Sequence, residues 1–313
     1  MGDPNSGARA EAGDREARGV HGDRVASVPS IARWKARNGA RPLVMVTAYD
    51  YPSARIADDA GVDMILVGDS VAMAVLGMPD TLSVRVRDLV HHVAAVARAQ
   101  PRALVVADLP WLSYHRGRRR AVEAAGKLVR AGAKAVKLEG GAERDVVITA
   151  LKAAEIPVMG HLGLTPQSTH VFGGMVVQGK TVAAAEQLVA DALALEAAGV
   201  FAIVLEGIPA PIAAVITERV SVPTIGIGAG PRCDGQVLVF HDVLGLSEGR
   251  RPRFVKTYAE LGATAREALA AWSKDVVEGA FPDDAHAYRA SDELAAWAAS
   301  QLGEGARSAI TSR

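Results

Sequence analysis

Aromatic residues make up only 4% of this 313-residue chain, so its core must be filled with Ala, Val, Leu and Ile, the residues of alternating strands and helices. A single cysteine, Cys233, excludes an intrachain disulfide framework and a thiolate zinc cluster. Neither sign of charge is in excess: 35 basic and 35 acidic residues leave a formal net charge of zero. No global field therefore draws the chain to nucleic acid or to an anionic membrane. No apolar run approaches the roughly 18 residues of a membrane span, and no apolar segment follows the N-terminus as a signal would. The chain reads as a soluble cytoplasmic protein. No G-x-G-x-x-G follows the first strand-like run, which weighs against a dinucleotide-binding sheet.

What is present is a set of short apolar runs that end in polar residues: MILVGDS (64–70), ALVVADLP (103–110), AVKLEGG (135–141) and AIVLEG (202–207). Such runs spell strands buried on both faces, and each delivers a carboxylate at or just past its exit: Asp69, Asp108, Glu139 and Glu206. Acids gathered at one end of a parallel sheet mark the end where α/β folds bind ligands. Strands are expected at 43–48, 63–68, 103–108, 134–139, 156–161, 201–206, 222–227 and 237–240. Amphipathic stretches at 51–60, 85–99, 118–131, 143–154, 181–198 and 209–219 alternate with them. Ala-Gly pairs at 60–61, 131–132 and 198–199 punctuate helix ends. Eight strands with alternating helices predict an α/β fold, a (β/α)8 TIM barrel with extra C-terminal helices; an open doubly wound sheet is the competitor. Residues 29–302 are expected to form one domain, with a disordered tail over 1–28 and a flexible tail over 303–313. Helical periodicity over 255–302 is expected outside the barrel or between subunits.

Several motifs compete for attention. Gly174 to Thr181 (GMVVQGKT) matches the P-loop pattern letter for letter. A working P-loop needs a buried strand before its first glycine and small residues within it, whereas this loop is apolar and β-branched and follows a poor strand. A lid or contact loop opening a helix at Thr181 is the better reading. The glycines at 226, 228 and 230 could present backbone donors to a phosphate, or could let a flat ligand or a neighbouring loop come close. His161, at the exit of PVMGH, reads as a hydrogen-bonding residue in a supporting role rather than a zinc ligand, since no second His stands at ligand spacing. Oxygen-rich surroundings suit Mg²⁺ better. Lys137 and Glu139 alternate on one strand and so share a face, inward in a barrel. Arg116, Arg118, Arg119 and Arg120 read as a solvated helix entrance, and Cys233 as inert.

The ordered blocks TAYDYPSA (47–54), GDS (68–70), ADLP (107–110), KLEGG (137–141), GHLGLTPQS (160–168), FGGMVVQGKT (172–181), LEGIP (205–209), IGIGAG (225–230) and DGQVLVFHD (234–242) resemble the ketopantoate hydroxymethyltransferase family. The resemblance spans roughly residues 30–260. It implies an Mg²⁺-dependent barrel enzyme of pantothenate synthesis, a homo-oligomer and often a decamer, which moves a one-carbon unit from 5,10-methylenetetrahydrofolate to 3-methyl-2-oxobutanoate. It aligns Asp69 and Asp108 with metal and substrate binding and Glu139 with a third acid at the metal. Ser70 and Lys137 align with substrate contacts, and Glu206 with the proton acceptor.

The residue types agree with that chemistry. Bond formation beside a ketone removes a proton from a weak carbon acid, and a divalent ion stabilises the charge that develops on oxygen. A lysine can hold a substrate carboxylate, and an acid away from the metal can serve as base. Two competitors remain: an isocitrate lyase or phosphonomutase type of Mg²⁺-dependent barrel enzyme, and a non-catalytic nucleotide-binding regulator built on the GKT loop.

Overall fold

The computed structural model describes residues 25–35, 41–249 and 251–302. Residues 1–24 and 303–313, most of the two expected tails, lie outside the described residues. The chain divides after Tyr258 into two compact units.

In the first unit, eight parallel strands close into a barrel in sequence order: β1 (Leu43–Thr47), β2 (Met64–Val67), β3 (Leu104–Asp108), β4 (Ala135–Lys137), β5 (Val158–Gly163), β6 (Ala202–Glu206), β7 (Thr224–Ile227) and β8 (Gly235–Leu238). Closure is made where Leu43 of β1 stands opposite Gly235 of β8. Helices Tyr51–Asp59, Val86–Arg98, Arg118–Ala131, Asp145–Ala153, Val182–Ala198 and Ala210–Arg219 alternate with the strands, within a residue or two of the expected stretches. The first is capped by Asp50, whose Oδ1 accepts the N–H of Ser53 at 2.8 Å. The Arg116–Arg120 segment is solvent-exposed at the entrance to its helix.

Strand parity divides the core in two. Met64, Leu66, Leu104, Val106, Ala135, Met159, Ala202, Val204, Ile225 and Val237 fill the barrel interior. Their neighbours Ile65, Val67, Val105, Val136, Ile203 and Leu205 point outward and pack under the helices. At the bottom, a short helix (Val28–Ala32) capped by Ser27 places Ile31 in the interior cluster, with Trp34 packed against it. The same parity carries each strand inward to its exit: Asp108 follows Leu104 and Val106, Lys137 follows Ala135, His161 follows Met159, and Glu206 follows Ala202 and Val204.

The second unit contains helices Leu261–Glu278 and Asp292–Gln301. Neither has a buried residue, and Leu269, Trp272, Val277 and Trp297 stand exposed on them.

Candidate active site

The strand exits converge on a cavity of about 190 Å³ at the C-terminal mouth of the barrel. Asp69, Ser70, Asp108, Lys137, Glu139, His161 and Glu206, every site residue expected from the sequence, line it. Asp69, Asp108, Lys137, Glu139 and His161 are each at most 4% exposed. Burial of charge on this scale is costly unless the groups pair or bind something.

The pairing is incomplete. Lys137 Nζ lies 2.8 Å from Asp108 Oδ1, an ion pair whose angle leaves Oδ1 without an aligned hydrogen bond. Asp108 Oδ2 accepts the main-chain N–H of Asp69 at 3.0 Å, tying the exit of β2 to that of β3. Lys137 Nζ also reaches His161 Nδ1 at 3.2 Å. His161 then stands between two acids, with Nδ1 3.6 Å from Glu139 Oε1 and Nε2 3.3 Å from Glu206 Oε2. Glu139 Oε1 and His161 Nε2 are buried without a hydrogen-bond partner. Four strand-end acids thus face one lysine and one histidine.

The protonation equilibria register this excess. Burial, then the charges of Asp108 and Glu139, push the Asp69 carboxyl well above the usual carboxylate range. Burial opposes charge on Lys137, but Asp108, Glu139 and Asp69 together hold its ammonium above the ordinary lysine value. Burial and Lys137 disfavour a charged His161, yet contacts with Glu139 and Glu206 raise it to about 9. Despite its own burial, Glu139 is held low by His161 and Lys137.

Four residues of the site escaped the sequence reading. Gln167 donates to both Asp69 and Glu139, and the Tyr114 hydroxyl donates to Gln167 Oε1 at 2.7 Å. Tyr49 shares a 2.8 Å hydrogen bond with Ser70 Oγ. Thr81, 2% exposed, lines the cavity with an unpartnered hydroxyl. All four sit outside the strands, so no strand pattern announces them. Part of the cavity wall is apolar, formed by Met73, Met175 and Phe254.

The loops settle two open motifs. Residues before the GMVVQGKT segment form a short helix, Thr169–Phe172, with Val171 84% exposed, where a P-loop needs a buried strand. Thr181 instead caps the helix Val182–Ala198, its Oγ1 accepting the N–H of Ala184 at 3.2 Å. At Gly228, with φ of +61°, a Cβ would stand 2.8 Å from the ring of Phe254. That glycine serves close approach of a neighbouring loop.

Oxygen-only donors with unsatisfied lone pairs suit a hard divalent cation. Among the described residues, no three His, Cys, Asp or Glu side chains converge into a ready cation cage. An ion such as Mg²⁺, which takes one or two carboxylates directly, would meet the rest of Asp69, Asp108 and Glu139 through water and complete its shell with substrate oxygens.

The barrel is shared with solved structures of low sequence identity. Phosphonopyruvate hydrolase, solved with oxalate and Mg²⁺, superposes with a TM-score of 0.54 at 16% identity over 83% of this chain and 92% of its own. 2,3-Dimethylmalate lyase, a member of the PEP mutase/isocitrate lyase superfamily, gives 0.54 at 20% identity over 82% and 89%. Sequence relatives are far closer. The 3-methyl-2-oxobutanoate hydroxymethyltransferase 2 of Bradyrhizobium diazoefficiens is 53% identical over 86% of this chain and 91% of its own. The 3-methyl-2-oxobutanoate hydroxymethyltransferase of Pyrobaculum calidifontis is 54% identical over 82% and 97%. The family profile for ketopantoate hydroxymethyltransferase matches residues 26–284, and with the acid-lined mouth described above this chain belongs to that family.

Proposed function

We propose that the chain transfers a hydroxymethyl group from 5,10-methylenetetrahydrofolate to 3-methyl-2-oxobutanoate, giving 2-dehydropantoate, with Mg²⁺ at Asp69, Asp108 and Glu139 and with Glu206 as base. The observation that carries this reading is the uncompensated set of buried acids around one small cavity, in a chain whose close relatives bear that name. Bound there, Mg²⁺ supplies the positive charge against which a 2-oxo acid can be enolised.

The remaining work falls to side chains. Lys137 and Ser70 receive the substrate carboxylate, Ser70 being oriented by the Tyr49 hydroxyl. Glu206 is less enclosed than the other acids, its side chain 16% exposed, and is free of the Asp69–Asp108–Lys137 cluster. It takes the proton from C3 of the oxo acid, while His161 beside it holds its orientation. The carbanion then forms the new carbon–carbon bond to the one-carbon unit as that carbon's two C–N bonds to the folate break. Water supplies the hydroxyl oxygen. Its two hydrogens, together with the proton taken from C3, end on the two freed folate nitrogens and the new hydroxyl, so that tetrahydrofolate leaves. The apolar wall of Met73, Met175 and Phe254 suits the flat folate ring, which has apolar faces.

We assign the chain to the cytoplasm, in keeping with its single buried, unpaired cysteine. Among the described residues no helix is long and apolar enough to cross a membrane. A homo-oligomer, a decamer as in the family resemblance, accords with the exposed Trp272, Val277 and Trp297 of the second unit, and light scattering tests it. The activity itself is tested by proton exchange at C3 of 3-methyl-2-oxobutanoate in deuterated water, followed by NMR. Exchange that depends on Mg²⁺ supports the reading; a parent protein that exchanges nothing with or without the metal overturns it.

A further inference from the structure

Two of the three acids assigned to the metal are held by one neutral residue that no role above uses. Gln167 is 7% exposed and sits in the turn after β5. Its main-chain N–H donates to Glu139 Oε2 at 3.0 Å, and its side-chain Nε2 donates to Asp69 Oδ2 at 2.8 Å. The second hydrogen on Nε2 goes to the carbonyl of Leu109 at 3.0 Å. Gln167 Oε1 accepts from the Tyr114 hydroxyl, so every polar atom of the amide is engaged.

The network also fixes which way the amide faces. A carboxylate and a carbonyl can only accept, so the amino end must face Asp69 and Leu109. The Tyr114 hydroxyl meets the other end as a donor, and its own oxygen receives the N–H of Glu139 at 3.2 Å. Tyr114 is 1% exposed, with the Arg144 guanidinium 5.3 Å above its ring, so this hydroxyl is itself held in place. Glu139 Oε2 is thereby occupied while Glu139 Oε1 is left without a partner.

We propose that Gln167 is a positioning residue: a two-armed amide clamp, its orientation set by Tyr114, which holds Asp69 and Glu139 with one oxygen each engaged and so presents the pair to the cation. This inference rests on the metal reading above. Without the clamp, two like charges on different loops relax apart, and the cation must order them as it binds. Partners that orient metal-binding groups act in this way, and their loss costs about ten- to hundredfold in metal affinity or activity.

The test measures Mn²⁺ binding to the full chain by electron paramagnetic resonance without substrate, alongside C3 exchange and the separate kcat and KM values. Gln167→Met keeps length and volume but loses the side-chain arm to Asp69 and the link to Tyr114, leaving the main-chain arm to Glu139; Gln167→Glu puts an acceptor where Asp69 needs a donor. Both are expected to weaken Mn²⁺ binding by about ten- to hundredfold, with Tyr114→Phe weakening it less and in the same direction. Should Gln167→Glu fail to fold, Gln167→Met and Tyr114→Phe decide the matter, with folding checked by circular dichroism. Variants that melt earlier but bind Mn²⁺ and exchange at parental levels overturn the clamp and make Gln167 a stability residue only. A parent that binds no Mn²⁺ overturns the metal reading, and the clamp with it.

Discussion

Both ends of this barrel bury charge, but they settle it differently. At the bottom, each of three buried acids has a basic partner. Lys35 Nζ meets Asp234 Oδ2 at 2.7 Å, Arg41 forks onto both oxygens of Asp63 at 2.6 and 2.9 Å, and Arg102 reaches Asp58 at 3.2 Å. Those acids also cap strand starts: Asp63 accepts the N–H of Val44, Asp58 that of Ala103, and Asp234 that of Thr224. At the mouth, among the described residues, Asp69, Asp108, Glu139 and Glu206 face only Lys137 and His161 as basic side chains. The three bottom acids find their cations within the chain; the mouth acids outnumber theirs. In barrels, the first condition serves stability and the second chemistry.

The sharpest way to break this contrast is at the base. Glu206→Gln keeps shape and loses the proposed proton acceptor, so C3 exchange should fall by about a hundredfold to ten-thousandfold while the oxo acid still binds. Exchange at the parental rate, read by NMR with affinity measured in parallel, would pass the base role to another group, His161 first. Next come the acids: Asp69→Asn and Asp108→Asn should each cost at least about a hundredfold in turnover, on the order of 3 kcal/mol of transition-state stabilisation. Near-normal turnover with an unchanged Mg²⁺ requirement in both sinks the metal assignment.

At the bottom the same kind of change should strike stability alone. Lys35→Met leaves Asp234 buried without its ammonium, which is expected to cost about 3 kcal/mol or more of folding free energy. Denaturant titration checks this, and kcat per folded molecule should be unchanged. A large loss of turnover with intact stability would erase the distinction between the two ends.

A smaller effect concerns pH. His161 is raised from 6.5 to about 9 by its two acids, so the folded chain keeps a proton that the unfolded chain releases. The stability it contributes is therefore present below about pH 6.5 and lost as pH rises through about 9. With a chelator present, Tm should fall across that window in the parent, and the slope should flatten in His161→Gln. Equal slopes in the two proteins would contradict it. Smallest of all, Lys180→Ala in the GMVVQGKT loop should leave no nucleotide phenotype. Micromolar ATP binding that the substitution removes, measured by calorimetry, would reinstate the P-loop.

How much of this was legible follows from how locally each feature is encoded. The strands and helices are written in periodicities of two and 3.6, and the acids stand at the ends of those periods, so both could be read residue by residue. The errors fall where period and pairing part company. The expected strand 134–139 ends at Lys137, because beyond it the parallel pairing with β5 gives way to an isolated antiparallel bridge between Gly140 and His161. The eighth strand starts at Gly235 rather than 237. Its first residues are glycine and an exposed glutamine, chosen for closure against Leu43 and not for apolarity, and Phe240 already opens the next helix. Gln167 lies 98 residues from Asp69 and 28 from Glu139, and nothing local to PQS says which acids it meets. Tyr114 and Tyr49 were missed for the same reason: a buried hydroxyl's partner is a property of the folded chain.

One glycine of the mouth has an evolutionary consequence. Gly163 closes β5 at φ of +94°, and a Cβ there would overlap the main-chain oxygen of Glu206 and crowd Ile208. Every replacement carries that Cβ, so no codon neighbouring glycine's encodes a tolerable variant. The backbone that aims Glu206 therefore cannot drift by small steps through this position. A lineage that departs from glycine here must move its β6 exit in the same stroke, and the two sites should change together or not at all.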